Sequence, residues 1–366
     1  MAATNFFLGA NSGDGFQNLF GEIAELESTH DLMILKGGPG AGKSTFLKEI
    51  GRAMEAAGTP VEYLWCSGDP TSLDGVTLPE LRCAAVDGTP PHVVEPQYPA
   101  AIDRCVDLGR FYDLTAAKSA RTEIIARTRE YRAAYVRACH SLRAARQVEL
   151  DAVNEMQRGM DWRRAARRVS GIIGREFRRR GREEGRCTRR FLGGFTCQGP
   201  VWRFDTVDTL CPKVYELADS WELSGRLLQS LAREAGRTGW NTIACLAPEE
   251  PERMEHLLVP GLGLAFVTSG PGMKYSGGRP YRRIRLDAMI GQTENRARVK
   301  FETRMAGILR EEAVAALAEA REAHDALEAI YNPYVDFDGV RAQAALEISR
   351  LLSWLERVRA APAAGI

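Results

Sequence analysis

The chain is short of several things, and each shortage excludes a class of protein. No run of about 18 or more apolar residues occurs, the length a membrane-crossing helix needs. The opening "MAATNFFLGANSGDG" lacks the basic start and long apolar stretch of a secretory leader, so a soluble, cytoplasmic protein is expected. The eight cysteines (Cys66, Cys83, Cys105, Cys139, Cys187, Cys197, Cys211 and Cys245) form no CxxC pair and have no histidine at zinc spacing. That argues against a disulfide framework and against a structural metal module. Lysine is scarce, 7 against 42 arginines, so part of the arginine content reflects composition and not a site.

What is present fits a globular protein of 366 residues, 45% apolar and 27% charged, with room for about two ordinary domains. The net charge is only +1, yet residues 156–190 hold 13 arginines against 4 acids.

The sequence also repeats itself. "NFFLGANSGDGF" (5–16) is echoed by "RRFLGGFTCQGPV" (189–201) at an offset of 184, and "LKGGPGAGKSTFLKEIGRAMEAAGTP" (35–60) by "LADSWELSGRLLQSLAREAGRTGW" (217–240) at 181. "DPTSLDGVTLPELRCAAVDGT" (69–89) likewise meets "EPERMEHLLVPGLGLAFVTS" (250–269). Matches in order at a nearly constant offset indicate internal duplication. Each half reads as an α/β core of parallel strands followed by a long helical hairpin. The first spans 1–157 (core 1–113, helices 114–157), and 158–188 is an arginine-rich helical linker. The second spans 189–366 (core 189–292, helices 293–360). Strands are expected at 5–10, 32–36, 61–66 and 83–87, with helices between them, and the helix over 43–57 implies a right-handed parallel βαβ crossover.

One stretch carries chemistry. Gly37-x4-Gly42-Lys43-Ser44 fits the P-loop pattern, with the apolar strand "LMILK" before it and a helix after it. In Gly37-Gly38-Pro39-Gly40-Ala41-Gly42 the absence of side chains lets backbone N–H groups converge on an anion, and the following helix adds its positive end. Lys43 would reach the β- and γ-phosphates, and Ser44 would hold Mg²⁺ with Thr45 beside it. Asp87, ending the strand "CAAVD", would be the second magnesium ligand. Asp69 is the candidate base that activates a water or a substrate hydroxyl, with Asp74 as an alternative; their competing readings are a plain turn and a helix cap. His92 reads as an exposed loop residue, and His140 and His324 as packing residues. No NKxD-like motif is present, which favours ATP over GTP. In the second half Lys43 is answered by Ser224, Ser44 by Gly225, Gly42 by Leu223, Gly37 by Ala218 and Asp87 by Thr268, so 217–240 reads as a retired P-loop that keeps its packing frame.

The segments "ILKGGPGAGKSTFLKEI", "WCSGDPTSLDGVTLPEL" and "AAVDGTPPHVVEPQYP", with the repeated "FLG" openings, resemble a family of bacterial two-halved P-loop ATPases. The resemblance covers essentially the whole chain and is specific over residues 5–100. It implies a RecA-like or related P-loop fold in each half, with ATP as ligand. Members of that family carry a phosphate loop in both halves, and the chain departs from the pattern at 218–225.

In the linker, Trp162, Ala166, Val169, Ile173 and Phe177 form one helical stripe with arginines around it. A basic amphipathic helix fits nucleic acid, an anionic membrane or an acidic protein partner at 158–190, or simply a packed linker with its arginines in water. Three functional readings remain: Mg²⁺-dependent ATP hydrolysis at one site, a kinase acting on a small hydroxyl substrate, and a nucleotide-gated switch.

Overall fold

The computed structural model describes residues 3–23, 29–181, 183–292 and 295–360. Arg182 of the arginine-rich stretch, and residues 293 and 294 at the start of the second expected helical part, lie outside them. In chain order the first half runs β1 (Thr4–Phe6), β2 (Gly9–Ser12), β3 (Gly15–Asn18), β4 (Asp31–Lys36), α1 (Lys43–Ala56), β5 (Glu62–Trp65), β6 (Leu73–Leu78), β7 (Cys83–Asp87), β8 (Asp103–Asp107), α2 (Leu114–Ala117) and α3 (Arg121–Arg158). After α4 (Trp162–Glu176) come β9 (Cys187–Arg190), β10 (Gly193–Thr196), β11 (Gly199–Trp202), α5 (Phe204–Leu210), β12 (Lys213–Ala218) and α6 (Ser224–Arg237). The chain ends with β13 (Thr242–Ala247), β14 (Glu250–Val259), β15 (Leu264–Ser269), β16 (Arg282–Arg285), α7 (Arg296–Tyr331) and α8 (Phe337–Ala360).

The main strands form two six-stranded mixed sheets, β1-β5-β6-β7-β4-β8 and β9-β13-β14-β15-β12-β16. Read in this direction the two orders correspond strand for strand, and so do the senses. The second strand is antiparallel to the third and the third to the fourth, while the other neighbours are parallel. The irregularity between Leu64 and Trp65 recurs between Cys245 and Leu246, at the same offset of 181. The hairpins β2–β3 and β10–β11 repeat in detail. Gly15 and Gly199 sit at φ 98° and 99°, and the hydroxyls of Ser12 and Thr196 each donate to the glycine carbonyl at 2.8 Å. The α/β duplication is therefore built into backbone geometry.

The compact units are discontinuous in sequence. The first gathers residues 1–9, 18–135 and 317–366, and the second 10–17 and 136–316. Within the first, β4 is apolar and buried at all four of its central residues, as a central strand covered on both faces must be. The buried stripe of α1, including Phe46, Leu47 and Ile50, packs in one core with Val340, Ala344, Leu351 and Leu355 of α8. Each large side chain so buried contributes about 1.5–3 kcal/mol.

Several expectations need correction. The sheets are mixed, not parallel, because β6 replaces an expected helix. The connections on either side of it, 66–72 and 79–82, are too short for a crossover, which takes a dozen or so residues. Asp74 is thus a strand residue and caps no helix. The strand expected at 5–10 breaks into β1 and β2, and a hairpin follows it where a helix was expected. On the long helices α3 and α7, the apolar side chains of Leu150, Phe301 and Ile308 are exposed. The buried face of α4 is Ala165, Val169 and Ile172, spaced i, i+4, i+7; Trp162 lies at its edge under the Arg226 guanidinium, 4.8 Å from the ring centre.

Candidate functional site

At the C-terminal end of β4 the chain turns through residues 37–42 into α1. Gly40 and Gly42 adopt φ 75° and 81°, a region that costs other residues energy. Gly40 is doubly constrained, since a Cβ there would lie 2.8 Å from the Asn332 Oδ1. The Tyr112 hydroxyl donates to the Pro39 carbonyl at 2.6 Å, and Ala41 is buried, so the loop is held from both sides.

Lys43, the first residue of α1, folds back over the loop and donates through Nζ to the carbonyls of Gly37 and Gly38 at 2.9 and 3.0 Å. The same ammonium lies 3.7 Å from Asp87 Oδ2. Pairing of Leu35 with Asp87 in the parallel β4–β7 ladder sets this approach, bringing the end of β7 beside the loop. The other Asp87 oxygen, Oδ1, accepts from the Thr89 N–H and hydroxyl at 2.9 and 2.6 Å, which fixes the carboxylate. Ser44 Oγ accepts from the Leu73 N–H at 3.0 Å, and Thr45 is exposed. The loop glycines, Lys43, Ser44 and Asp87 therefore share one place.

The first unit also brings residues that the sequence did not single out. From α7, Glu328 Oε1 accepts a 3.3 Å hydrogen bond from the Gly40 N–H, so a carboxylate already meets one of the loop's donors. Arg321 Nη1 lies 2.7 Å from Asp69 Oδ2. His324 stacks edge-on to Tyr131 and lies 3.8 Å from Glu328. Burial, with the Arg321 and Lys43 charges nearby, holds its proton affinity below the ordinary imidazole value. More than 250 residues separate Arg321, His324 and Glu328 from the loop, so no local spacing in the sequence ties them to it.

Asp69, the candidate base, lies in the turn after β5. It accepts from the Thr71 N–H and hydroxyl and from the Ser72 hydroxyl at 3.0, 2.7 and 2.5 Å, as well as from Arg321. Burial alone would raise its pKa, but the Ser72 and Thr71 hydrogen bonds and Arg321 hold it below the ordinary carboxylate range. Such a group positions Arg321 better than it accepts a proton. Asp74, opposite Asp87 in the register that pairs Gly75 with Val86, meets His92 Nε2 at 3.3 Å. His92 is buried, not exposed as its loop position suggested. Burial works against its charged form, but Asp74 raises its proton affinity above the ordinary value. His140 is exposed and packs against no core.

The counterpart turn in the second unit is chemically different. β12 ends at Ala218 as β4 ends at Lys36, while α6 begins 181 residues after α1, so the turn 219–223 is one residue shorter than 37–42. Ala218 thus answers Lys36 and not Gly37. The next residue, Asp219, had no part in the sequence reading. Its buried carboxylate accepts from the Trp221 N–H at 2.9 Å and the Ser224 N–H at 2.7 Å. Thr268 stands in register with Leu217 as Asp87 does with Leu35, and its hydroxyl meets Ser224 Oγ at 3.1 Å. Arg253, beside Gly225, lies within 3.9 Å of Glu222, Glu250 and Glu255.

No family model, no curated protein and no solved structure matches the chain in comparison.

Proposed function

We propose that the chain binds ATP with Mg²⁺ at residues 37–45 of the first unit and hydrolyses it there, and that the second unit's turn at 219–224 binds none. The observation that carries this reading is the single cluster of donor loop, ammonium and carboxylate: Gly40 N–H on an anionic oxygen, and Lys43 Nζ 3.7 Å from Asp87. The Glu328 carboxylate stands in for a phosphate oxygen, which is the fit expected of an anion-binding loop. Lys43 would exchange two loop carbonyls for the β- and γ-phosphates, and Gly37, Gly38, Pro39, Gly40, Ala41 and Gly42 would wrap them. Ser44 and Asp87 would hold Mg²⁺, which neutralises charge developing on the phosphoryl oxygens. Arg321, held by Asp69, is the nearby cation suited to steady that charge.

The Glu328 contact also favours a second reading, a gated site in which nucleotide displaces α7's carboxylate. Phosphate release from ATP separates the readings. Release that needs Mg²⁺ but no added acceptor supports hydrolysis, and phosphate transfer only to an added hydroxyl compound identifies a kinase. Tight ATP binding with no turnover identifies a switch.

A further inference from the structure

Arginines from two elements of the second unit meet around one cavity. A hollow of about 360 Å³ between α4 and the edge strand β16 is lined by Arg164, Arg168, Arg175, Arg282, Arg283 and Arg285. The α4 members share one stripe, since positions 164, 168 and 175 fall within about 40° at 100° per residue. The apolar stripe beside them, Ala165, Val169 and Ile172, is buried, which fixes the rotation of the helix and aims the arginines at β16.

The charge there is only partly compensated. Arg175 donates to the Tyr215 hydroxyl and to Glu176, and Arg283 lies 3.5 Å from Glu216. Glu176 is shared with Lys213 at 2.7 Å, and Glu216 accepts from Ser269. Among the described residues Arg164, Arg168 and Arg285 have no carboxylate at ion-pair distance. All six arginines are exposed, so water and salt screen them, but none can relieve repulsion by losing its proton, and their convergence leaves a place suited to an anion. Composition does not explain the cluster: arginine is 42 of 366 residues in the chain but six of the eleven that line this cavity.

We propose that the second unit binds a small ligand carrying two or more phosphate groups in this cavity. Arginine forks match phosphate oxygens two at a time, and the volume lies in the range of small-molecule sites. Ile172 and Met289 supply an apolar wall for the ligand's body. The concave, small-molecule shape favours this ligand over a nucleic-acid backbone, which would need an extended track. The proposal does not rest on the ATP site.

The test is titration calorimetry of the full chain carrying Lys43→Ala, with inorganic tripolyphosphate and no Mg²⁺. One tripolyphosphate per chain is expected, with affinity falling about tenfold or more in Arg168→Ala/Arg285→Ala and less in Arg168→Lys/Arg285→Lys, where charge stays and the fork is lost. Arg163→Ala/Arg167→Ala, outside the cavity lining, should bind as the parent does. No binding, or binding that these cavity substitutions leave unchanged, overturns the proposal. So does an oligonucleotide that binds more tightly than tripolyphosphate and through the same arginines, which would make them a nucleic-acid surface.

Discussion

The turns at 37–42 and 219–223 occupy the same place in two sheets of the same strand order, yet the Gly40 N–H of one meets a side chain from a distant helix while the other meets its N–H groups with its own Asp219. In the first, two positive-φ glycines open the loop, and its contact with a carboxylate comes from a side chain 288 residues away. In the second the sequence supplies its own anion: Asp219 accepts from the Trp221 and Ser224 N–H groups, and Leu223 is buried. The comparison teaches that a strand-to-helix turn can keep its place in a sheet while the acceptor for its N–H groups changes from a distant side chain to a local one. Five residues replace six, and an internal carboxylate takes over the donors that would otherwise be left buried and unpaired.

The largest effect should come from the one group with no substitute. Lys43→Ala should lower ATP turnover at least about a hundredfold, as loss of a preorganised charge partner does, while the melting temperature barely moves. Ser224→Lys should create no second site, because Asp219 still holds the turn; a second nucleotide bound per chain in that variant would break the comparison. Next, Asp219→Ala should destabilise the protein by about 1–3 kcal/mol in denaturant melts, since buried N–H groups lose their acceptor. Glu328→Gln should leave stability almost unchanged and tighten nucleotide binding a few-fold. Equal stability losses in these two variants would mean that Glu328 is as structural as Asp219.

Asp87→Asn should shift the Mg²⁺ requirement of turnover to higher concentration. Magnesium dependence identical to the parent's would move the metal role to another carboxylate, with Asp74 the nearest candidate. The smallest effect concerns His92, which meets Asp74 at 3.3 Å. Because Asp74 raises its proton affinity in the folded protein, its contribution is fully present below about pH 6.5 and is lost as pH rises through the higher folded value. Melting of His92→Gln should therefore differ more from the parent at pH 5.5 than at pH 9.

The sequence made legible what local spacing encodes. The glycine loop, Lys43, the strand ending in Asp87 and the collinear repeat were all readable from neighbours in the chain. β6 was hidden because "LDGVTL" carries Asp and Gly, which speak for a turn, while its strand conformation is fixed by pairing with β5 and β7. Asp219 was hidden by a one-residue deletion that slid the alignment, and Glu328 and Arg321 by a separation that only the return of α7 and α8 to the first sheet closes. The arginine cavity escaped because its second wall, "RRIR" on β16, looked like ordinary composition in an arginine-rich chain.

The central claim is that one turn grips phosphate and its counterpart cannot. A crystal structure of the full chain with Mg²⁺ and a non-hydrolysable ATP analogue tests it most directly. The account predicts phosphate density wrapped by residues 37–44, metal density between Ser44 and Asp87, Glu328 displaced from Gly40, and Asp219 still bonded to Trp221 and Ser224. Phosphate density beside Ser224, or an analogue bound elsewhere with residues 37–44 unchanged and Glu328 still on Gly40, would contradict it.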